Sequence, residues 1–294
     1  MQEIKQGNLL GVLAILLWST LAALTVLTGD IPPFQLVSLS FFIASFLGIF
    51  MLKKHKQSFA KLFNVPLKAW IIGILGLFGY HFFYFFALKS APAVEANLIN
   101  YLWPLLIVLF SAFLPNEQLK WFHVVGSLFG LLGAFLLVSK NGSFDFKSEY
   151  LAGYVYAVLA ALIWSSYSVI SRKFSHIPTY SVTGFCIATT LLAFICHLLF
   201  EVTVIPDLTQ GIAIIFLGLG PVGGAFYVWD YGMKNGEIKI LGSLAYFTPL
   251  LSTFILIIFA LVSMNTTIAL ACLLIIFGSL ISSKESITKL LRKK

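Results

Sequence analysis

Ten runs of mostly apolar residues follow one another along this 294-residue chain, with only short polar segments between them. Each run is about 20 residues long, which as an α-helix crosses the ~30 Å hydrocarbon core of a bilayer. Strands of a membrane barrel would instead alternate in polarity over about 10 residues. The pattern therefore predicts an all-α integral membrane protein. The ten predicted spans lie near residues 7–28, 34–52, 69–88, 93–114, 121–139, 151–171, 179–200, 211–232, 238–260 and 265–282.

The net charge of +8 has a topological explanation, which makes a nucleic-acid partner unnecessary. With ten spans, sixteen of the 19 Lys and Arg residues fall on the side that carries both termini. The other side has only Lys89, Lys140 and Lys147. Because positive residues concentrate in cytoplasmic loops, we expect both termini to be cytoplasmic.

Two halves of the chain resemble each other. VLAILLWST at 12–20 and VLAALIWSS at 158–166 share six of nine residues, and Tyr-x-x-Pro-Leu-Leu occurs at 101–106 and again at 246–251. We interpret residues 1–143 and 144–294 as two copies of a five-span unit. Since five is odd, the second copy enters the membrane from the opposite side, and such inverted repeats suit alternating access.

Helix-breaking residues stand at matching places in the two halves. Pro104 and Pro249 lie in mid-span, where a proline removes a backbone donor and frees a carbonyl one turn earlier. Either proline alone is equally typical of a packing kink, but their pairing favours a substrate cavity between the halves. Gly220 and Pro221, in a glycine-rich stretch of the eighth span, are hinge candidates.

Deep aromatic and amide side chains are the candidates for substrate binding. Trp18 and Trp164 are equivalent in the repeat and lie at mid-depth, whereas tryptophan normally concentrates at membrane interfaces, as we expect for Trp70, Trp121 and Trp229. Flat apolar rings stack well on such side chains. The predicted substrate-binding residues are Trp18, Tyr80, His81, Tyr84, Asn97, Asn100, Tyr101, Trp103, Trp164 and Tyr246.

The ionisable residues within the spans allow two interpretations each. His81 is either a neutral histidine bonded to a tyrosine or a carbonyl, or a substrate partner or proton carrier. Glu95 and Asp230 form ion pairs at the membrane edge with Lys89 and Lys234, or else take part in gating or coupling. His197 is expected to be structural.

An enzyme is disfavoured by the motifs, because the sequence has no aspartate dyad, no His-x-x-x-His and no nucleophile with a base at credible spacing. We expect no metal and no cofactor. The expected partners are a small-molecule substrate and the lipid bilayer, with no nucleic acid, and we expect a monomer.

The ten spans, the five-plus-five repeat, the Trp-Ser pair in each half and the Tyr-x-x-Pro motif resemble the EamA-type members of the drug/metabolite transporter superfamily. Within that group LLWSTLAALT at 16–25, Tyr80-His81 and NYLWPLL at 100–106 resemble the YddG-type exporters of aromatic amino acids. The resemblance implies a basket-like ten-helix fold around a central aromatic cavity, and export of aromatic amino acids across the bacterial inner membrane. It places Trp18, Tyr80, His81, Tyr101, Trp103 and Trp164 in that cavity.

Our hypothesis is a secondary transporter that exports aromatic amino acids or similar small amphipathic metabolites. The alternatives are an exporter of other metabolites or drugs and, less favoured, a receptor or assembly subunit. A nucleotide-sugar carrier would need Lys or Arg side chains deep within the spans to bind its phosphates, and the sequence has none there. Because the first Tyr-x-x-Pro motif contains Trp103 where the second has Thr248, we expect Trp103 to contribute more to transport.

Overall fold

The computed structural model describes residues 2–54, 56–115, 117–139, 147–259, 263–285 and 288, and this part of the chain is helical, without strands. Nine segments of it are at least 18 residues long and apolar enough to cross a membrane, and a tenth apolar helix has 17 residues. The all-α membrane prediction is thus confirmed. The predicted boundary between the repeats, at 143 and 144, lies outside the described residues. The ten segments are Gln2–Val26, Pro33–Lys54, Leu67–Ser90, Ala93–Phe113, Trp121–Val138, Ser148–Phe174, Thr179–Phe200, Leu208–Asn235, Ile238–Ile258 and Thr266–Ser282.

Five of these spans are interrupted. In the fourth span Ala93–Asn100 is followed by Trp103–Phe110, and in the ninth Ile238–Leu244 is followed by Phe247–Ile258. Pro104 and Pro249 stand in the first turn of the second helix in each case, where a missing N–H costs nothing. The breaks therefore lie where the two prolines predict them.

The third and eighth spans also change at matching places. The third span contains a π turn, Leu75–Gly79, and the eighth is divided into Leu208–Leu219 and Gly224–Asn235. The first span is divided as well, between Ser19 and Leu21. Wide turns such as the π turn of the third span are frequent at functional sites.

Glycine makes the interruption of the eighth span possible. A Cβ on Gly223 would overlap the carbonyl oxygen of Gly218, because the chain folds back tightly there. The amide of Val222 donates to Leu217 O at 2.9 Å and that of Ala225 to Gly220 O at 2.8 Å. Each of these hydrogen bonds spans five residues instead of the usual four. They satisfy the backbone amides at the break, as the interior of a membrane requires.

Small residues let the spans approach closely. Gly7 and Gly11 of the first span lie against Gly236 and Gly232 at the end of the eighth, where a Cβ added to Gly7 or Gly232 would overlap the backbone of the other segment. A Cβ added to Gly11 would overlap the side chain of Leu241 of the ninth span. Such contacts are the usual way in which membrane helices associate. They place Trp18, two turns after Gly11, beside the eighth span.

The two ends of the bundle differ, and we call them the N-terminal face, where the first span begins, and the opposite face. On the opposite face the carboxylate of Glu201 accepts the amides of Phe34 and Gln35, at 2.9 and 3.0 Å, and so caps the second span. His197 lies 3.0 Å from the same carboxylate, and its other ring nitrogen lies 2.8 Å from Thr203 Oγ1. His197 is therefore structural, as predicted.

Candidate substrate cavity

A cavity of about 610 Å³ lies between the spans in the half of the bundle nearer the opposite face. Its lining extends from Trp18 at mid-depth to Val26, Leu88 and Val138. These three residues lie at or near the ends of their spans on that face. This volume is in the range of pockets that hold small molecules. Nine of the ten predicted binding residues line it. They are Trp18, Tyr80, His81, Tyr84, Asn97, Asn100, Tyr101, Trp103 and Trp164.

The bottom of the cavity is an aromatic floor, formed by Trp18, Trp103, Trp164 and Phe226. The ring centroid of Trp18 lies 6.0 Å from that of Trp103 and 5.6 Å from that of Trp164, and both pairs meet edge to face. Phe226 lies 5.4 Å from Trp164 in the same geometry. Edge-to-face packing is favourable for aromatic rings.

Trp229 underlies this floor, and the prediction that it lies at the membrane interface is wrong. The residue is fully buried, its centroid lies 5.0 Å from that of Trp18, and its Nε1–H donates to Ser168 Oγ at 3.0 Å. The eighth helix continues for six more residues, to Asn235, which places Trp229 about 9 Å inside the helix end. Trp229 thus lies between the floor and the N-terminal face.

One side of the cavity is an amide–phenol wall, formed by Tyr80, Tyr84, Asn97 and Asn100. The rings of Tyr80 and Tyr84 are stacked, with centroids 5.7 Å apart. The Tyr84 hydroxyl donates to Asn97 Oδ1, and Asn100 Nδ2 donates to the Tyr80 hydroxyl at 3.1 Å. The two tyrosines are one helical turn apart on the third span, and the two asparagines are one turn apart on the fourth. The two hydrogen bonds therefore join these spans at two successive levels.

His81 is held in one tautomer by the π turn. Its Nδ1 lies 2.7 Å from Leu77 O. A carbonyl can only accept, so Nδ1 carries a hydrogen, and in the neutral ring Nε2 is then an acceptor. Such a carbonyl is available because a wide turn shifts the backbone bonds, as when Tyr80 N–H donates to Leu75 O. His81 is thus bonded to a carbonyl, and its role as a substrate partner or proton carrier stays a prediction.

Tyr246 does not line the cavity, so the prediction for this residue is wrong in that respect. It is fully buried, and its hydroxyl accepts the amide of Leu105 at 3.1 Å. Leu105 is the third residue of the helix that follows the break in the fourth span, where amides have no acceptor within their own helix. The helix breaks of the two halves therefore meet, as their symmetry predicts, and this hydrogen bond joins them.

An ion-pair cluster of Glu117, Arg172 and Lys239 lies at the N-terminal face. Glu117 Oε2 lies 2.5 Å from Lys239 Nζ, and Glu117 Oε1 lies 3.5 Å from Arg172 Nη2. Arg172 also donates to the carbonyls of Met233 and Gly236, at 3.0 and 2.5 Å. The cluster connects the loop after the fourth span with the sixth, eighth and ninth spans.

The two acids predicted to lie at the membrane edge differ. Asp230 pairs with Lys234 at 2.8 Å and accepts the Thr179 hydroxyl at 2.8 Å, so the predicted ion pair is confirmed. The predicted pair of Glu95 with Lys89 is absent from the described part of the chain. One carboxylate oxygen of Glu95 is buried there without a hydrogen-bond partner.

Several lining residues were not predicted from the sequence, among them Phe226, Thr248 and Ser252. The repeat contains the signal that would have found the first. Aligning the two Tyr-x-x-Pro motifs also aligns Phe226 with His81 and Trp229 with Tyr84. None of the described residues that line the cavity is Lys, Arg, Asp or Glu.

Comparison with known proteins agrees with this architecture. Residues 5–139 and 151–284 each match the EamA-like transporter family. The aromatic amino acid exporter YddG of Ancylobacter novellus is 49% identical over 280 residues, or 95% of this chain and 97% of that protein. The exporter of the same name from Escherichia coli is 25% identical over 260 residues, or 85% of this chain and 87% of that protein. A crystal structure of a protein with 48% sequence identity superposes with a TM-score of 0.90 and covers 94% of this chain and 97% of its own. The chain belongs to the EamA-like transporter family.

Proposed function

We propose that this protein is a secondary transporter that exports aromatic amino acids, or similar small amphipathic metabolites, by alternating access. The observation that carries the proposal is the cavity of about 610 Å³, which combines an aromatic floor with an uncharged amide–phenol wall. A flat ring with a small polar head group fits these two surfaces. The proposal is supported by the 49% identity to a protein named as an aromatic amino acid exporter.

The expected affinity is modest. Burying an aromatic side chain removes roughly 150–250 Å² from water, which at ~25 cal/mol/Å² stabilises the complex by about 4 to 6 kcal/mol. The loss of translational and rotational freedom on binding offsets much of this gain. Weak binding suits a transporter, because the substrate has to leave on the other side.

The direction of the cavity follows from the orientation proposed for the chain. If both termini are cytoplasmic, as the distribution of Lys and Arg indicates, the opposite face is periplasmic. The cavity is then open to the periplasm, and Trp229 with the ion-pair cluster separates it from the cytoplasm. This conformation is the one from which a substrate is released outside the cell.

Alternating access is supported by the position of the repeat-equivalent residues. The ring centroids of Trp18 and Trp164 are 5.6 Å apart, as expected for equivalent side chains beside a pseudo-two-fold axis in the membrane plane. Residues 1–143 and 144–294 would act as the two inverted units, with the break at Gly220 and Pro221 as one hinge. Substrate then reaches the same cavity from either side.

The experiment is substrate flux in proteoliposomes. Purified protein should move tryptophan or phenylalanine, and Trp103→Ala or His81→Ala should reduce the flux at least about tenfold. Trp121→Ala, at an exposed membrane-edge indole, is the control that should leave it unchanged. Equal flux of tryptophan into liposomes with and without the protein would refute the proposal.

Glu95 and Asp230 are proposed to take part in gating or in coupling to protons. The unpartnered oxygen of Glu95 supports this for one residue, and the buried ion pair of Asp230 at the N-terminal face supports it for the other. Transport by Glu95→Gln or Asp230→Asn should lose its dependence on pH. A pH profile identical to that of the unmodified protein in both variants would contradict coupling.

A further inference from the structure

We infer that the amino and carboxylate groups of the substrate bind the amide–phenol wall, and that the substrate ring lies against the aromatic floor. The inference rests on the proposed function and specifies the orientation of the substrate. It makes Tyr84, Asn97, Tyr80 and Asn100 the residues that distinguish an amino acid from other aromatic compounds.

The Tyr84–Asn97 pair has at least one free donor and one free acceptor. With the Tyr84 hydroxyl donating to Asn97 Oδ1, the Asn97 amide nitrogen keeps its hydrogens and the Tyr84 oxygen keeps lone pairs. Exchanging the amide N and O reverses the bond, but the pair still retains one donor and one acceptor. In the described part of the chain the Asn97 side chain has no other partner.

The Tyr80–Asn100 pair is similar and lies one turn closer to the floor. Asn100 Nδ2 donates to the Tyr80 oxygen, so the Tyr80 hydrogen is free to donate. Asn100 Oδ1 is buried without a partner among the described residues, which is costly unless a ligand or water supplies a donor. The His81 Nε2 acceptor is on the same helix as Tyr80. A zwitterion needs donors for its carboxylate and acceptors for its ammonium group, and this wall has both.

The rest of the cavity offers less to a zwitterion. Outside the wall the lining contributes the hydroxyls of Tyr101, Thr248 and Ser252 and the indole N–H groups of the floor. Thr248 Oγ1 is buried without a partner among the described residues, but a single hydroxyl there does not match the paired amides and phenols of the wall. The Thr25 hydroxyl already donates to Leu21 O at 2.7 Å. Beneath the floor, the Trp229 N–H is bonded to Ser168. Among the described lining residues, side-chain amides occur only in the wall.

The distances also favour this orientation. The Tyr80 ring touches Trp164 of the floor, with centroids 5.6 Å apart, and Tyr84 lies one turn further from the floor. One helical turn rises about 5.4 Å, close to the separation between the ring and the head group of an aromatic amino acid. A ring on the floor therefore brings the head group level with Tyr84 and Asn97.

The test compares ligands that have the same ring but different head groups. Binding of tryptophan, tryptamine, indole-3-propionate and indole to the purified full-length protein would be measured for the unmodified protein and for Asn97→Leu. Leucine keeps the size of asparagine but removes its hydrogen bonds. We expect tryptophan to bind at least about tenfold more weakly to Asn97→Leu, and indole to bind equally to both.

Two further variants protect the interpretation. Tyr84→Phe keeps the ring and removes only the hydroxyl, so it should show the same selective loss if Asn97→Leu fails to fold. Asn64→Leu makes the same change at an exposed residue outside the cavity and should leave both ligands unaffected. Equal losses for tryptophan and indole, or no loss for tryptophan in either wall variant, would overturn the inference. If the unmodified protein bound and transported none of the four ligands, the proposed function itself would fail.

Discussion

The ion-pair cluster at the N-terminal face makes a quantitative prediction about the balance between the two access states. Glu117→Gln keeps the shape of the side chain and removes its charge, so the ion pairs with Lys239 and Arg172 are lost together. These pairs join elements that have to separate when the N-terminal face opens. We expect the variant to shift the population towards the state that is open at this face.

The size of the shift follows from the exposure of the three side chains. They are 17%, 16% and 27% exposed for Glu117, Lys239 and Arg172, so the pairs are stronger than fully exposed ones, which contribute about 0.2 to 1 kcal/mol each. We estimate about 1 to 2 kcal/mol for the two pairs together, since solvent still screens them. This corresponds to an increase of about 5- to 30-fold in the state open at the N-terminal face.

The assay is the rate of cysteine labelling at two positions that are equivalent in the repeat. Thr25 lines the cavity, and Ser171, 146 residues later, is buried beside the cluster. After alanine replaces Cys186, Cys196 and Cys272, maleimide labelling of Ser171→Cys should rise about 5- to 30-fold in Glu117→Gln. Labelling of Thr25→Cys should stay equal or fall.

The control is Glu285→Gln, which removes an ion pair with Lys120 on the same face. That pair joins the fifth and tenth spans, which are packed together at Gly126 and Gly278. It should therefore leave both labelling rates unchanged. Equal labelling of Ser171→Cys with and without Glu117→Gln would refute the idea that the cluster holds this face closed.

Three further predictions concern single side chains. Trp103→Ala should lower tryptophan flux in liposomes at least about tenfold and Thr248→Ala less than about threefold, because only the first removes a ring from the floor; equal effects would contradict this asymmetry. Gly223→Ala should destabilise the purified protein by at least about 2 kcal/mol in denaturant titrations, since its Cβ overlaps a backbone carbonyl. Gly211→Ala, whose added Cβ meets no atom within 4 Å, should not destabilise the protein, because alanine is favoured over glycine within a helix. Glu201→Gln should cost about 1 to 2 kcal/mol in the same titration, because a charged cap of two amides is lost, and an unchanged midpoint would contradict that role.

The features that could be predicted from the sequence are those that depend on local pattern. Continuous apolar runs identified the spans, because a bilayer demands about 20 such residues whatever their neighbours are. Pro104 and Pro249 identified the helix breaks, because proline acts on its own helix. Trp18 and Trp164 were identified as cavity residues through their depth and their equivalence in the repeat.

The features that could not be predicted depend on partners distant in the chain. Trp229 stands next to Asp230 in sequence, which suggests a membrane edge, but pairing with Lys234 lets the acid be buried and extends the span beyond it. Tyr246 is equivalent to Tyr101 in the repeat. Its hydroxyl nevertheless accepts the backbone amide of Leu105 and does not line the cavity. Glu95 stands near Lys89 in sequence, but the two side chains do not meet in the described structure.

The hydrogen bond between Leu105 and Tyr246 has a consequence for how the chain is made. The ribosome produces the fourth span well before residue 246, so the Leu105 amide enters the bilayer before its acceptor exists. An unsatisfied amide in hydrocarbon costs several kcal/mol, so the newly inserted first half is incomplete on its own. Insertion of the ninth span relieves that cost, because Tyr246 then accepts the Leu105 amide. The fourth span is therefore complete only after the ninth has been inserted.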